Sequence, residues 1–332
     1  MLVFIHIPDR VVKSNVSTTF HHTLRTLDLI GFLLFAPCII MFLLALEWGG
    51  TNYPWSDSRI IGMFIGSAAM LVIFGFWEHR RGDTAMIPFS LIKQRIVYSA
   101  MICMFFLFAA MMLASYYLAI YFQAVKGISP MLSGVYLLPS ILSQMLFAII
   151  SGALVGRLGY YLPWIIISTT LNSIGMGLLS TFEPNTSTAV WVGYQLIVGI
   201  GRGCGIQMPI VAISNSLPPA QNSLGMSMVA FSQTFGGAIF LTVAETTFSA
   251  GLKSGLAKYA PGVSPLAVST AGATGFRSQL PAAEVPGIIS SYNLGVQEVF
   301  WLAAGCAVAS FVAAWGLGWK SVKKPKVVQP EA

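Results

Sequence analysis

Charged side chains are scarce in this sequence. Asp, Glu, Lys and Arg make up 9% of its 332 residues, hydrophobic residues make up 56%, and the mean hydropathy is +0.76. Soluble domains contain about 25% charged residues. The few polar residues are not enough to cover the apolar ones in water, which excludes a water-soluble globular fold.

Cysteine and histidine are equally scarce, with four of each. The cysteines stand alone in apolar segments, without CxxC spacing, and are predicted to be small packing residues: Cys38, Cys103, Cys204 and Cys306. The histidines lack the i, i+4 spacing of a helical zinc site: His6, His21, His22 and His79. No paired Asp or nucleophile constellation occurs at predicted membrane depth. The sequence therefore predicts no metal, no cofactor, no catalytic residue and no enzymatic activity.

Long apolar segments dominate instead. A helix needs about 20 residues, at about 1.5 Å each, to cross a hydrocarbon core of about 30 Å. Eight segments approach this length: 29–46, 60–77, 97–125, 131–155, 163–179, 189–213, 224–248 and 299–319. Only helices and closed β-barrels satisfy the backbone hydrogen-bonding groups in lipid. The segments lack the alternation of apolar and polar residues that barrel strands show. The predicted fold is an all-α, polytopic integral membrane protein with about eight transmembrane helices in a lipid bilayer.

The basic residues predict how these helices are oriented. Lys and Arg of short loops stay on the cytoplasmic side, and an even number of crossings places both termini on one face. Twelve of the 18 basic residues fall on that face: Arg10, Lys13, Arg25, Arg80, Arg81, Lys93, Arg95, Arg157, Lys320, Lys323, Lys324 and Lys326. Both termini are therefore predicted to be cytoplasmic. The net charge of +7 reflects this topology and not nucleic-acid binding, since no basic cluster is interleaved with exposed aromatics.

One predicted cytoplasmic turn carries a glycine motif. Residues 152–159 read Gly-Ala-Leu-Val-Gly-Arg-Leu-Gly, in which the glycines permit a tight turn and close helix approach. Arg157 is placed to bond helix C-terminal carbonyls. The segment resembles the loop motif of the major facilitator superfamily, Gly-x-Leu-x-Asp-Arg-x-Gly followed by basic residues. It departs at Gly156, where the family has Asp, and at Tyr160 and Tyr161, where the family has Arg or Lys. The positions that match the family motif are Gly152, Leu154, Arg157 and Gly159. Taken alone, the segment also fits an ordinary basic turn.

Further segments extend this resemblance in order along the chain. They are residues 46–55, 85–88, 121–127, 133–139 and 231–237. Together they look like the last eight helices of the fungal fourteen-span drug:proton antiporters, which export drugs, toxins and secondary metabolites. Each piece is short, and the ensemble carries the resemblance.

The resemblance implies a division of the chain. Residues 1–28 would be a cytoplasmic segment with the remnant of a preceding helix, and 29–95 two bridging helices with a cytoplasmic loop. Residues 96–319 would form the six-helix C-terminal bundle, with a long outer loop over 250–297, and 320–332 a basic cytoplasmic tail. In such transporters two six-helix bundles rock about a midplane cavity. The N-terminal bundle is expected to be missing here.

Two charged residues lie at predicted membrane depth. Arg202 is near the middle of the sixth span, where an unpaired cation costs about 2.5 to 3.5 kcal/mol. It either serves the cavity, by attracting anionic substrate groups or coupling to a carboxylate, or bonds carbonyls of a neighbouring broken helix. Glu245, near the outer end of the seventh span, is the only carboxylate predicted well inside a span. It is the candidate for proton coupling, with simple hydration at the interface as the alternative.

Neutral groups complete the candidate site. Gln144, Gln207 and Gln233 lie nearest the central region and, with Arg202, are the predicted substrate contacts; interhelical ties are the alternative. Pro209 predicts a kink in the sixth span. Two interleaved GxxxG pairs surround Arg202 and predict close helix packing rather than nucleotide binding: Gly199, Gly201, Gly203 and Gly205.

The sequence thus favours a secondary transporter, a proton-coupled efflux antiporter for hydrophobic small molecules, with its proton drive implied by the resemblance alone. The predicted partners are the bilayer, the substrate, protons and a missing N-terminal six-helix bundle. The expected location is the plasma membrane, with the vacuolar membrane as the alternative. Two other functions stay open: a non-transporting membrane remnant or assembly partner, and a siderophore transporter of similar architecture.

Overall fold

The computed structural model describes residues 28–50, 53–82 and 85–322. The helix remnant predicted before residue 28 and most of the basic tail lie outside these described residues. Eight helical segments of the described chain are long and apolar enough to span a membrane. They confirm the predicted all-α, polytopic fold.

The elements follow one another without named strands in the described residues. They are α1 (Leu29–Trp48), α2 (Ser58–Arg81), α3 (Phe89–Ile92), α4 (Arg95–Ile120), a π-helix (Tyr121–Val125), α5 (Pro130–Tyr136), α6 (Leu138–Leu158), α7 (Leu162–Leu179), α8 (Thr188–Gly205), α9 (Met208–Ser216), α10 (Pro219–Tyr259), α11 (Pro265–Gln279), α12 (Val285–Ala314) and a 3₁₀ turn (Trp315–Leu317).

Three spans contain a break. α4 runs into the π-helix, α5 and α6 are divided at Leu137, and α8 and α9 are divided at Ile206 and Gln207. Pro139 and Pro209 lie at the start of the second helix of each divided pair. Proline has no N–H to bond the carbonyl one turn earlier, so the breaks in these two divided pairs follow from their prolines. The predicted kink at Pro209 is confirmed.

The first two spans form a pair that is tied by a cysteine and a serine. The Ser67 hydroxyl of α2 donates to the Cys38 carbonyl of α1 at 2.9 Å, and the Cys38 thiol donates to the Ser67 carbonyl at 3.2 Å. At one end of the pair, the Asp28 carboxylate accepts from the Trp77 indole at 3.0 Å. The pair touches the other spans at α10.

The other six spans surround a common core. α4, α10 and α12 contact one another, α7 contacts α12, and α8 lies between α6 and α7. Large aromatic side chains fill the centre, and each is at most 2% exposed: Tyr117, Tyr121, Phe122, Phe182 and Phe300. Such side chains bury the most apolar area per residue and therefore dominate the packing.

The ends of the helices lie on two faces, and the first is here called the Gly159 face. Gly159 ends α6 in the left-handed conformation, with φ 85° and ψ 9°. Its carbonyl accepts the Val322 N–H at 2.7 Å, and the Tyr161 hydroxyl donates to the Leu317 carbonyl at 3.0 Å. Burial raises the pKa of the Tyr161 phenol. These bonds hold the turn after α6 against the segment that follows α12.

The opposite ends form the Arg277 face. The Arg277 guanidinium of α11 donates to the Ala124 and Val125 carbonyls at 2.9 and 3.0 Å, which closes the end of the π-helix. The Lys126 ammonium donates to the Pro184 carbonyl at 2.8 Å. Burial lowers the pKa of both cations because it removes water from them. Backbone carbonyls thus bind the cations at this face.

The segment 250–297, predicted as a long outer loop, contains the ends of two helices. α10 and α12 both continue into it, and residues 260–284, which include α11, join them. Small residues let the two helices stay in contact: a Cβ on Gly255 would lie 2.7 Å from the Ser291 Cα. Polar residues on the outer side of α10 lower the hydropathy of this stretch, so hydropathy alone ends the helix too early.

Candidate functional site

Arg202 is buried near the middle of its span and is 5% exposed. Its guanidinium donates to the Met111 carbonyl and to the Ser115 hydroxyl of α4, both at 3.2 Å. The space beside it, bounded by Phe108 and Ile206, has no room for a water molecule. Arg202 therefore ties α8 to α4, as in the carbonyl-bonded alternative, although α4 is a continuous helix at that point.

The glycines around Arg202 face two different helices. Gly199 and Gly203 lie against α6, whereas Gly201 and Gly205 lie against α7. A Cβ on Gly203 would come within 2.9 Å of the Phe147 Cβ. α8 is therefore wedged between two neighbours at backbone distance, which is the close packing that the interleaved spacing predicts.

The three glutamines occupy different surroundings. Gln144 and Gln233 are half-buried on α6 and α10, and Gln207 is exposed in the break between α8 and α9. A cavity of about 650 Å³ lies between α1, α4 and α10, and neither these glutamines nor Arg202 lines it. Their predicted role as substrate contacts stays a prediction.

Glu245 does line this cavity. It lies on α10 toward the Arg277 face and is exposed, and Glu47 of α1 and Tyr117 of α4 line the cavity with it. Upstream on α10, Gly236 lets this helix approach α4, since a Cβ there would lie 2.9 Å from the Phe105 Cα. The structure thus places the proton-coupling candidate beside a second carboxylate that the sequence did not single out.

Of the two roles predicted for the glycines of the motif, the structure shows the tight turn but not the close helix approach. Gly159 makes the tight turn, as predicted from its position after Arg157. No heavy atom lies within 4 Å of a Cβ built on Gly152 or Gly156. The expected close helix approach is therefore not found at either residue, and Arg157 is exposed.

Comparison with known proteins places this arrangement in a family. The family model described as the fungal trichothecene efflux pump (TRI12) matches residues 2–288. The chain belongs to this family. Membership in the trichothecene efflux pump family confirms the major facilitator resemblance carried by the short segments of the sequence.

Individual proteins that are similar to this chain are also named as transporters or efflux pumps. The MFS-type transporter pigP of Monascus ruber is 49% identical over 330 residues, which cover 99% of this chain and 58% of that protein. The efflux pump mlcE of Penicillium citrinum is also 49% identical over 330 residues, which cover 97% of this chain and 60% of the relative. The chain thus spans 58% to 60% of the length of these curated relatives. The family and both relatives are named as transporters and not as enzymes.

In this family member, one buried carboxylate escaped the sequence analysis. Glu78 of α2 is 1% exposed and accepts the Ile87 N–H at 2.9 Å. Glu78 lies near the C-terminal end of α2. Glu78 holds the segment 85–88, one of those that carry the family resemblance. It lies between Trp77 and three basic residues, a pattern that is typical of a solvated helix end.

Proposed function

We propose that this chain is the C-terminal portion of a proton-coupled efflux transporter for hydrophobic small molecules, a class that includes drugs, toxins and secondary metabolites. The observation that carries the proposal is the match of the efflux pump family model to residues 2–288 of a chain with eight candidate spans. Relatives named as efflux pumps are identical at 49% of aligned positions, which supports the same class of activity.

In this proposal the chain supplies two structural units of a larger transporter. Residues 29–95 form the bridging pair and residues 96–319 the C-terminal bundle. Rocking transport needs a second six-helix bundle about a shared midplane cavity. The share of the relatives that lies outside the match, about 40% of mlcE from its 60% coverage, has room for such a bundle.

The proposal assigns roles to individual residues. Gln144, Arg202, Gln207 and Gln233 contact the substrate from this half, and Glu245 takes up and releases the coupling proton. The Gly159 face is cytoplasmic, as are both termini, and the plasma membrane is the location. The exposed position of Glu245 beside a cavity supports proton exchange with water.

Flux in liposomes tests the proposal. The full chain is reconstituted alone, and together with the portion of mlcE that lies outside the match, and efflux of a fluorescent hydrophobic dye is followed under a pH gradient. We expect flux only from the combination and only with the gradient. Absence of flux from a correctly inserted combination would reject the transport proposal, and flux from the chain alone would reject the need for a second bundle.

The role of Glu245 is tested in the same assay. Glu245→Gln keeps the size of the side chain and removes its titration, so we expect the pH dependence of flux to flatten. Glu298→Gln is the matched control, since Glu298 is a carboxylate of α12 that lines a neighbouring cavity instead. An unchanged pH profile for Glu245→Gln would remove Glu245 from the mechanism.

A further inference from the structure

Exposed charge is distributed unevenly between the two ends of the helices. At the Gly159 face, the described residues include these exposed basic side chains: Arg80, Arg81, Lys93, Arg95, Arg157 and Lys320. The two carboxylates among the described residues of this face, Asp28 and Glu78, are only 8% and 1% exposed. The Asp28 carboxylate also lies 3.9 Å from the Arg81 guanidinium. The described part of the Gly159 face therefore presents positive charge to its surroundings without exposed negative charge.

The Arg277 face has no such excess. Its basic residues, or those close to it, are Arg59, Lys126, Lys253, Lys258 and Arg277, and its acidic residues, or those close to it, are Glu47, Asp57, Glu183, Glu245, Glu284 and Glu298. Lys126 and Arg277 are moreover bonded to backbone carbonyls. The positive excess is thus a property of one face and not of the helix ends in general.

The segment after α12 brings two of these cations to one place. The Val322 N–H donates to the Gly159 carbonyl at 2.7 Å. Arg157 lies two residues before Gly159, and Lys320 lies two residues before Val322. Neither side chain forms a hydrogen bond or an ion pair in the described part of the chain, and both are exposed. Two segments that are distant in sequence thus place two exposed cations beside one backbone contact.

An exposed aromatic pair lies beside the same contact. The rings of Tyr160, which follows Gly159, and of Trp319, which precedes Lys320, have centroids 5.6 Å apart. The two residues are 39% and 65% exposed. Tyr and Trp are enriched at the boundary between membrane and water, where their rings lie at the level of the lipid headgroups. The pair therefore indicates that this end of the spans lies at headgroup level.

The anions at headgroup level are the phosphates of the lipids. A guanidinium binds a phosphate through two parallel N–H groups, and an ammonium binds it as a point charge. Each Lys or Arg close to an anionic leaflet contributes about 1 kcal/mol to the attraction. Leu158, the residue between Arg157 and Gly159, is 58% exposed and offers an apolar contact to an acyl chain next to the two cations.

We propose that the Gly159 face binds an anionic phospholipid, with the phosphate of its headgroup between Arg157 and Lys320 and an acyl chain beside Leu158. Phosphatidylserine has a net negative charge, whereas the choline ammonium of phosphatidylcholine offsets its phosphate, so phosphatidylserine binds more tightly. The cytoplasmic leaflet is the one that contains anionic lipids. A lipid bound here therefore favours a cytoplasmic Gly159 face, and the site itself does not depend on transport.

Spin-labelled lipids test this proposal. The full chain is reconstituted in phosphatidylcholine, and electron spin resonance measures the fraction of labelled lipid whose motion the protein restricts. Labelled phosphatidylserine and labelled phosphatidylcholine are compared. We expect phosphatidylserine to be preferred about fivefold, which corresponds to about 1 kcal/mol. The preference should fall at about 1 M salt, where the Debye length is about 3 Å.

Substitutions locate the effect. Arg157→Gln and Lys320→Gln each remove one positive charge, so each should lower the preference for phosphatidylserine by about half. Lys253→Gln is the matched control, because it removes the same charge from an exposed position near the Arg277 face. It should leave the preference unchanged. Circular dichroism checks that all three variants keep the helix content of the unmodified chain.

Several outcomes would overturn the proposal. Equal restriction of the two lipids by the unmodified chain would do so, as would a preference that high salt leaves unchanged. A preference that neither Arg157→Gln nor Lys320→Gln lowers would reject this site, because other basic residues would then carry the effect. A loss in Lys253→Gln as large as in Arg157→Gln would show that the effect is not local. Failure of the flux experiment has no bearing on this result, since lipid binding is measured without transport.

Discussion

At the scale of single residues, Arg202 shows how a cation is kept at membrane depth without an anion. Among the described residues, no carboxylate lies within 4 Å of its guanidinium, and its two acceptors are a carbonyl and a hydroxyl of α4. A cation at this depth costs about 2.5 to 3.5 kcal/mol. Hydrogen bonds that involve a charged group each return about 1.5 to 3 kcal/mol. Two such bonds return about 3 to 6 kcal/mol, and the buried Nε, which has no hydrogen-bond partner among the described residues, costs a further 1 to 3 kcal/mol or so, so the gains and the costs nearly cancel.

This balance predicts opposite results for two substitutions of Arg202. Arg202→Met removes the charge and its bonds together, so we expect the free energy of unfolding to change by less than about 1 kcal/mol. Arg202→Lys keeps the charge but cannot reach both acceptors, and should be less stable than Arg202→Met by about 2 kcal/mol. The four cysteines are buried, so a thiol-reactive dye reports unfolding in detergent. A stable Arg202→Met variant that has lost flux would favour the substrate role. If Arg202→Met were less stable than Arg202→Lys, the balance between the cost of the buried charge and its hydrogen bonds would be contradicted.

Tyr161 predicts a dependence of stability on alkaline pH. Burial raises the pKa of its phenol above the ordinary value of about 10, so the folded state holds the proton more tightly than the unfolded chain. This contribution to stability is complete below about pH 10 and is lost as the pH rises toward the folded-state pKa. Tyr161→Phe should lower stability by about 1 kcal/mol at neutral pH, through loss of the bond to Leu317, and its deficit should shrink above pH 10.

Thermal unfolding followed by circular dichroism at pH 8 to about 11 checks this expectation. Tyr160→Phe is the matched control, because Tyr160 is the preceding residue and is 39% exposed. It should follow the unmodified chain at every pH. A constant gap between Tyr161→Phe and the unmodified chain across this range would show that the phenol does not titrate differently on folding.

At the scale of helices, the glycines of α8 set the distances to both neighbours. A Cβ on Gly203 would lie 3.0 Å from the Ala148 backbone nitrogen and 2.9 Å from the Phe147 Cβ, and backbone atoms cannot move aside alone. We expect Gly203→Ala to destabilise the chain by about 1 to 3 kcal/mol through overpacking. Gly193→Ala in the same helix has open space around its Cβ and should be neutral or stabilising by up to about 1 kcal/mol. Equal thermal unfolding temperatures of the two variants in detergent would contradict the close packing of α8 between α6 and α7.

The sequence predicts such local features better than it predicts contacts between helices. Spacing alone identifies two glycine faces on α8, and the prolines mark the kink at Pro209. It does not tell which neighbour each face meets, because that depends on how the spans are arranged. The same holds for Glu47 and Glu245: each lies on a regularly spaced face, yet about 200 residues separate them and no local pattern joins them.

At the scale of the whole molecule, the number of spans follows from hydropathy because lipid imposes one helical length on every crossing. Extensions beyond the membrane escape this reasoning. α10 continues past Ala250 because its small residues pack against α12, and a contact between two helices leaves no trace in the hydropathy of either. The cavity between α1, α4 and α10 was not predicted either, because it depends on how helices that are distant in sequence lie side by side.

The topology predicted from the basic residues is tested by labelling. Lys93→Cys and Lys320→Cys lie on exposed positions at the Gly159 face, where the Arg95 guanidinium donates to the Trp315 carbonyl at 3.5 Å. Lys258→Cys lies on the other side, at the exposed end of α10. A membrane-impermeant maleimide should label Lys258→Cys in intact cells, and the other two only after permeabilisation, since basic loops stay cytoplasmic. The unmodified chain, with its buried cysteines, is the control. Labelling of Lys93→Cys and Lys320→Cys from opposite sides would reject the eight-span arrangement, whereas a reversal of all three would reject only its orientation.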